Sequence, residues 1–565
     1  MTRNVYAVTL GEVLPLLTVA QDSAASTGRP GAGGTDWTRF DRISRHILTL
    51  PVPARNYDGL TAGEPGSVFL VERAPITTPL LFSAEGPPRN VYRFDLTTGE
   101  TGVVLDQVTA FELSFDGGRM LYSRGNESRK HAWFVSPVDE SIGRSRRPTP
   151  GREIKPDSIQ VQVDPRTEWR HMFEQAWRNQ RDFFYDPGLH GLDQRETRRR
   201  YEPFLWNLAS REDLDYLLSE MLGNLSVDHM AVAGPQAAAF RLRRSKTGLL
   251  GADYDVRDNR FCFARIYERD TWNPQSRSPL TEPGMNVQVG EYLLAINGQE
   301  VYPSTDVYRY FEGTAGGTVV LKVGPRADGS GAREIKVEPL EDEAPLRRFA
   351  WIENNRRTVD ELTNGRVAYV PVPDVSALGY QSFNRYYFAQ VGKDAVIVDE
   401  RYNAGGIMAD YMIDYLRRPL MNYFHMRDGR DISTPMEGIF GPKVMIINEL
   451  AGSGGDHLPW LFRKAGLGPL VGKRTWGGLI GGATNPDDLL DGGHVSTPNL
   501  AFYSTDGTWD RENHSVPPDI EVEESPHAAR EGHDLQLEKA VEVALQLLEK
   551  NPPPSTPRHP PYRHL

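Results

Sequence analysis

The chain has 565 residues, too many for a single hydrophobic core, so several domains are expected. Its 64 basic and 76 acidic residues leave a net charge of −12 with neither sign gathered into a long block, which argues against nucleic acid or an anionic membrane as the main partner. The single cysteine, Cys262, excludes an internal disulfide and a thiolate metal cluster, as suits a reducing compartment, with the cytoplasm as the default.

Residues 1–160 carry a loose repeat. RNVYAVTL (3–10), RNVYRFDLTTGE (89–100) and KHAWFVSP (130–137) are similar strand-like segments, as are SVFLVER (67–73) and GRMLYSR (118–124). SFDGGRMLYS has the strand, Asp-Gly turn, strand form of a hairpin. Recurrence at about 40–45 residues predicts a partial β-propeller of four-stranded blades. The last two strands of one blade and two whole blades can be found, too few to close a ring, so the chain is expected to begin inside a larger propeller or to have its open edges covered by a partner. The apolar VLPLLTVA (13–20) closely follows Glu12 and a strand-like segment, and reads as propeller strand and loop rather than as a signal segment. No apolar run approaches a membrane span.

An Arg-rich join, RSRRPTPGREIK (144–155), leads into SIQVQVDP (158–165), whose alternation predicts a strand. A small helical domain is expected over 161–238. Trp169, Met172, Phe173, Ala176, Trp177 and Phe184 have amphipathic helical spacing over 168–185, and Leu214, Leu217, Leu218 and Met221 lie on a second helix stopped by Gly223. NLSVDHMAV then brings Asp228 and His229 together before a strand. Over 239–345 short strands return. PGMNVQVGEYLLAINGQEV (283–301) combines a glycine-bounded turn, an apolar strand and an Asn-Gly hairpin turn, and resembles a PDZ domain, with GLLGADY (248–254) similar to its carboxylate-binding loop and strand. Peptide capture and a purely structural insert are equally compatible with that resemblance.

From 346 to 550 strands and helices alternate as in an α/β sheet: RVAYVPV (366–372), a helix over 380–390, AVIVDE (395–400), a helix over 408–416, KVMIIN (443–448) and a helix opening at Ser453. The Pro-rich stretch 551–565 reads as a tail.

The chemistry gathers at VMIINELAGSGGDH (444–457), where a β-branched run ends in a small-residue turn with glycines on both sides of Ser453. Such a serine can be a plain helix N-cap, or a nucleophile whose developing oxyanion meets the free N–H groups of a helix start. DERYNAGG (399–406) supplies a second glycine turn with Gly405 or Gly406 as donor, and His229 is a candidate base because a serine hydroxyl needs an acceptor that titrates near neutrality. Glu512, in DRENHSVPPDIEVE, is a candidate to orient it. Neither a P-loop nor an HExxH-type metal motif is present: in GLGPLVGKR, Leu467 and Arg474 stand where a P-loop needs Gly and Ser or Thr.

The order DERYNAGG, NELAGSGGDH, GKRTWGG and ENHSVPPDIEVE, with NLSVDH upstream and a PDZ segment between, resembles the tricorn branch of the tail-specific serine proteases over nearly the whole chain. The resemblance implies a partial propeller, a helical C1 part, a PDZ domain and an α/β C2 catalytic domain. It also implies a Ser, His, Ser, Glu tetrad that falls on Ser453, His229, Asp228 and Glu512, with backbone donors at Gly405, or alternatively Gly406, and at Gly454. This sequence departs from the family at Asp228, which replaces a serine. The sister branch places a lysine after a Thr-aromatic-Gly run; here Gly478 follows Thr475, Trp476 and Gly477, which favours the histidine version.

The expected activity is therefore cofactor-free and metal-free cleavage of unfolded chains or oligopeptides by a cytoplasmic homo-oligomer. Two other classes remain in view. One is a peptide-binding PDZ and propeller scaffold with a degenerate serine site, which Asp228 favours; the other is an esterase, although the motif of the usual nucleophile elbow is absent.

Overall fold

The computed structural model describes residues 3, 5–8, 47–73, 88–126, 129–138, 151–235, 246–268, 278–482, 488–509 and 512–561. VLPLLTVA (13–20) and most of the Arg-rich join lie outside them. The chain divides into two compact units, Met1–Val163 and Asp164–Leu565.

In the first unit two antiparallel meanders run in sequence order. Strands β1 (Tyr57–Ala62), β2 (Ser67–Arg73), β3 (Arg89–Asp95) and β4 (Thr101–Val108) form one sheet. Strands β5 (Ala110–Leu113), β6 (Arg119–Asn126), β7 (Arg129–Pro137) and β8 (Arg152–Ile154) form the next. Alternation sends Phe69, Val91, Leu105, Met120 and Tyr122 into one shared core with Phe111, whose ring lies 5.8 Å from that of Phe69. Tyr6–Val8 pairs separately with Ile47–Thr49.

SIQVQV is not a strand. After a turn at Pro156–Ser158 the segment takes part in no ladder among the described residues, and Ile159 and Val161 are 70% and 76% exposed. A β-branched alternation needs a neighbouring strand to become a ladder. Asp164 ends the segment instead, its carboxylate accepting from Arg166 N at 3.2 Å and capping helix α1 (Pro165–Phe183) with Pro165 in the first turn.

Helix α1 packs Met172, Phe173, Ala176 and Trp177 against Leu214, Leu218 and Met221 of α2 (Arg211–Leu222), which opens in a capping box between Ser210 and Asp213. The same core takes in Ile480, Leu489 and Val495 from far along the chain, and Val232–Ala233 pairs antiparallel with His494–Val495. This helical part therefore shares its interior with residues 480–495 of the α/β part.

The PDZ-like sheet has the order β9 (Ala252–Arg257), β10 (Arg260–Ile266), β11 (Tyr292–Ile296), β12 (Val319–Gly324), β13 (Arg333–Val337), all antiparallel. At its expected hairpin Asn297 and Gly298 have φ of 48° and 80°, as a type I′ turn requires. Helix α3 (Ala344–Leu362) leads into a five-stranded parallel sheet, β14 (Val367–Pro371), β15 (Ala395–Asp399), β16 (Lys443–Ile447), β17 (Leu470–Gly472) and β18 (Ile520–Glu521), in sequence order. Strands β14 to β16 are buried throughout, as parallel strands between helices must be. Helices α4 (Ala377–Phe388), α5 (Ala409–Leu416), α6 (Gly454–Lys464) and α7 (Leu535–Lys550) contribute to the same core.

Candidate active site

The two glycine turns leave the carboxyl ends of neighbouring strands β15 and β16, the edge of an open parallel sheet where the strand ends form a crevice. Ser453 stands between β16 and α6 with φ 58° and ψ −114°, a strained backbone for a residue with a side chain. Its glycine neighbours make that turn possible. A Cβ on Gly454 would come within 2.3 Å of Gly406 O, and one on Gly405 within 2.9 Å of Ser453 Cβ.

Asp456, which the sequence reading assigns no role, holds the turn in place. Fully buried, it accepts from Ser453 N at 2.9 Å, Thr475 Oγ1 at 2.5 Å, Gly477 N at 2.8 Å and Gly478 N at 3.2 Å. Burial pushes its carboxyl up to about 6, against the pull of those donors. An acidic side chain three residues into a helix is a capping signal, but its reach to the 475–478 loop cannot be read from spacing.

The glycine donors separate in the structure. Gly405 N donates to Asn403 Oδ1 at 2.9 Å and is spent. Gly406 N and Gly454 N donate to no acceptor among the described residues, and a Cβ on Gly454 would lie 2.7 Å from Gly406 N. Of the two candidate glycines in this turn, Gly406 is thus the one whose N–H is left without an acceptor among the described residues. The reason is local: Asn403 folds back on its own turn, its amide donating to buried Glu400 at 3.1 Å. Burial, then the nearby Asp456 and Asp399, raise Glu400 well above the carboxylate range.

Trp476 connects the serine turn to His229. Its Cε3 lies 2.6 Å from where a Cβ of Gly452 would sit, and its ring meets the imidazole edge-on at 5.2 Å. No hydrogen bond joins Ser453 to His229, and the buried His229 Nδ1 has no partner among the described residues. Glu512 is brought to Asp228 instead of to the ring. Its Oε1 accepts from Asp228 N at 3.0 Å, and its Oε2 from Leu479 N at 2.7 Å and Ile480 N at 2.8 Å. Burial, then the neighbouring Glu512, push the Asp228 carboxyl up, while His229 pulls it down. A cavity of about 250 Å³ lined by Tyr185, His190, Leu479, Phe502, Trp509 and Glu512 opens beside this cluster.

Three family models match along the chain: the Tricorn protease C1 domain over 165–223, the Tricorn protease PDZ domain over 248–342 and Peptidase family S41 over 366–522. The chain belongs to the tricorn protease family. It is 34% identical over 531 residues to a tricorn protease homolog of Streptomyces coelicolor, covering 92% of this chain and 49% of that protein. It is 28% identical over 542 residues to a tricorn protease of Thermoplasma volcanium, covering 96% and 50%. The fold matches a crystal structure of the tricorn protease with a TM-score of 0.81 at 24% identity, over 96% of this chain and 51% of that one. This tricorn-family chain therefore spans about half the length of the curated relatives it matches.

Proposed function

We propose that the chain is a serine peptidase that cleaves peptide bonds in oligopeptides or unfolded polypeptides. Ser453 is the nucleophile, and the observation that carries the reading is its strained turn beside two N–H groups, those of Gly406 and Gly454, that have no acceptor among the described residues. His229 takes the hydroxyl proton as Ser453 Oγ adds to the substrate carbonyl, and returns it to the departing amine, leaving an acyl-enzyme. Water then repeats the sequence to release the acid. Glu512 and Asp228 set the electrostatics around the imidazole, and closing the distance from His229 to Ser453 belongs to substrate binding, since catalytic hydrogen bonds often tighten only then. The two meanders are read as propeller blades over 1–160, followed by the C1 part to 238, the PDZ domain to 345, the C2 domain to 550 and the tail. The assembly is a cytoplasmic homo-oligomer.

The test is labelling with a serine-directed fluorophosphonate. Wild type is expected to label, Ser453→Ala not at all, and His229→Ala at least about 100-fold more slowly. Equal labelling of Ser453→Ala and wild type would overturn the assignment.

A further inference from the structure

In PDZ-type recognition, backbone amides of a short loop take the terminal carboxylate of a peptide that then extends a neighbouring sheet edge. The corresponding GLLG segment here, 248–251, precedes β9. Three of its four amides, those of Gly248, Leu249 and Gly251, are already engaged. Gly248 N donates to Phe311 O and Leu249 N to Leu340 O, both at 2.9 Å. Gly251 N donates to a carboxylate, Glu343 Oε2, at 2.9 Å.

Glu343 immediately precedes α3 and is 8% exposed. Its other oxygen, Oε1, receives Arg347 Nε at 2.8 Å and Nη2 at 2.6 Å. The same guanidinium reaches back to β9, where Nη1 donates to Asp253 Oδ1 at 2.8 Å, and to Tyr267 OH at 3.0 Å, which donates to Asp253 Oδ2 at 2.7 Å. Gly251 has φ 64°, and a Cβ there would lie 3.0 Å from Leu346 Cδ1, so α3 is pressed against the loop. A backbone N–H and an arginine converging on one buried carboxylate form a carboxylate receptor, and it is full.

We propose that the carboxylate site of the PDZ module is occupied by the chain's own Glu343, which docks the module on α3, and that the module does not receive peptide C-termini. Ile352 and Val359 of α3 pack in the core that contains Tyr369 of β14, so the dock ties the module to the catalytic sheet. The inference is independent of the serine chemistry.

The experiment uses the full chain with Ser453→Ala in all variants, so that no probe is cleaved, and fluorescent hexapeptides ending in Val as the free acid or the amide. With Glu343 present, fluorescence polarisation is expected to be the same for both peptides. Glu343→Ala should bind the acid and not the amide. It should also melt on the order of 5 °C lower and regain about 2 °C or more in 100 mM sodium acetate, but not in sodium chloride. Glu343→Gln, which keeps the site filled, should show no acetate recovery. Selective binding of the acid by the protein that retains Glu343 overturns the proposal. So does a Glu343→Ala protein that folds but responds to neither the acid peptide nor acetate. If Glu343→Ala does not fold, the comparison of acid and amide on the Glu343 protein decides by itself.

Discussion

Glu512 receives its three hydrogen bonds from backbone N–H groups, one of them Asp228's own, so the two carboxylates at the site are unequal. Glu512→Gln would turn an amide toward N–H donors, and kcat/KM on a short peptide is expected to fall about 100-fold or more. Asp228→Ser keeps the backbone donor and removes a like charge beside Glu512, so activity within about 10-fold of wild type is expected in the same assay. A loss as large as that of Glu512→Gln would assign the Asp228 carboxylate a direct part in turnover. Asp456 gives a signature in stability. Its carboxyl is raised from 3.8 to about 6 in the fold, so the folded state prefers it protonated. The stability this confers is complete below about pH 4 and is lost as pH rises through 6, a swing of about 3 kcal/mol. Urea unfolding between pH 4 and 7 should lose stability more steeply with pH in wild type than in Asp456→Asn, where the likewise raised Glu400 still contributes, and the activity of Asp456→Asn should also drop at least about 10-fold because its amide faces the N–H groups of the serine turn.

The strand, turn and helix around Ser453 were legible because a buried β-branched run, flanking glycines and an apolar helix follow one another without a break. The choice between Gly406 and Gly405 was not, since it depends on where the Asn403 side chain folds. The unpaired SIQVQV failed for the reverse reason: its pattern is correct, but a ladder is a property of two segments. Long-range ties were equally hidden. Arg401, its side chain 3% exposed, pairs with Asp399 at the end of β15 at 2.7 Å and with Asp534 at 2.8 Å, and Asp534 caps α7. Arg401→Ala would leave two carboxylates facing each other in the interior, and thermal unfolding should report a loss of about 3–5 kcal/mol. Gly454→Ala tests α6 itself. The added methyl meets Gly406 O at 2.3 Å, so turnover should be abolished while far-UV circular dichroism remains close to wild type.

At the scale of the molecule, every proposed catalytic residue lies in the unit Asp164–Leu565. A chain beginning at Asp164 is therefore expected to hydrolyse a short peptide at a measurable rate, while its preference for substrate length changes; a folded but inactive fragment would assign the first unit a part in the chemistry. Within the larger unit the fragments of the site arrive in an unusual order. The hydrogen bond from Asp228 to Glu512 spans 284 residues, with the nucleophile between them. Because a chain leaves the ribosome from its N-terminus, the serine emerges well before the carboxylate that completes its surroundings. On the proposed mechanism a copy made only as far as Ser453 is chemically silent, and newly synthesised, still unfolded siblings, which are the kind of substrate proposed here, are not exposed to it until Glu512 has been added and folded against Asp228.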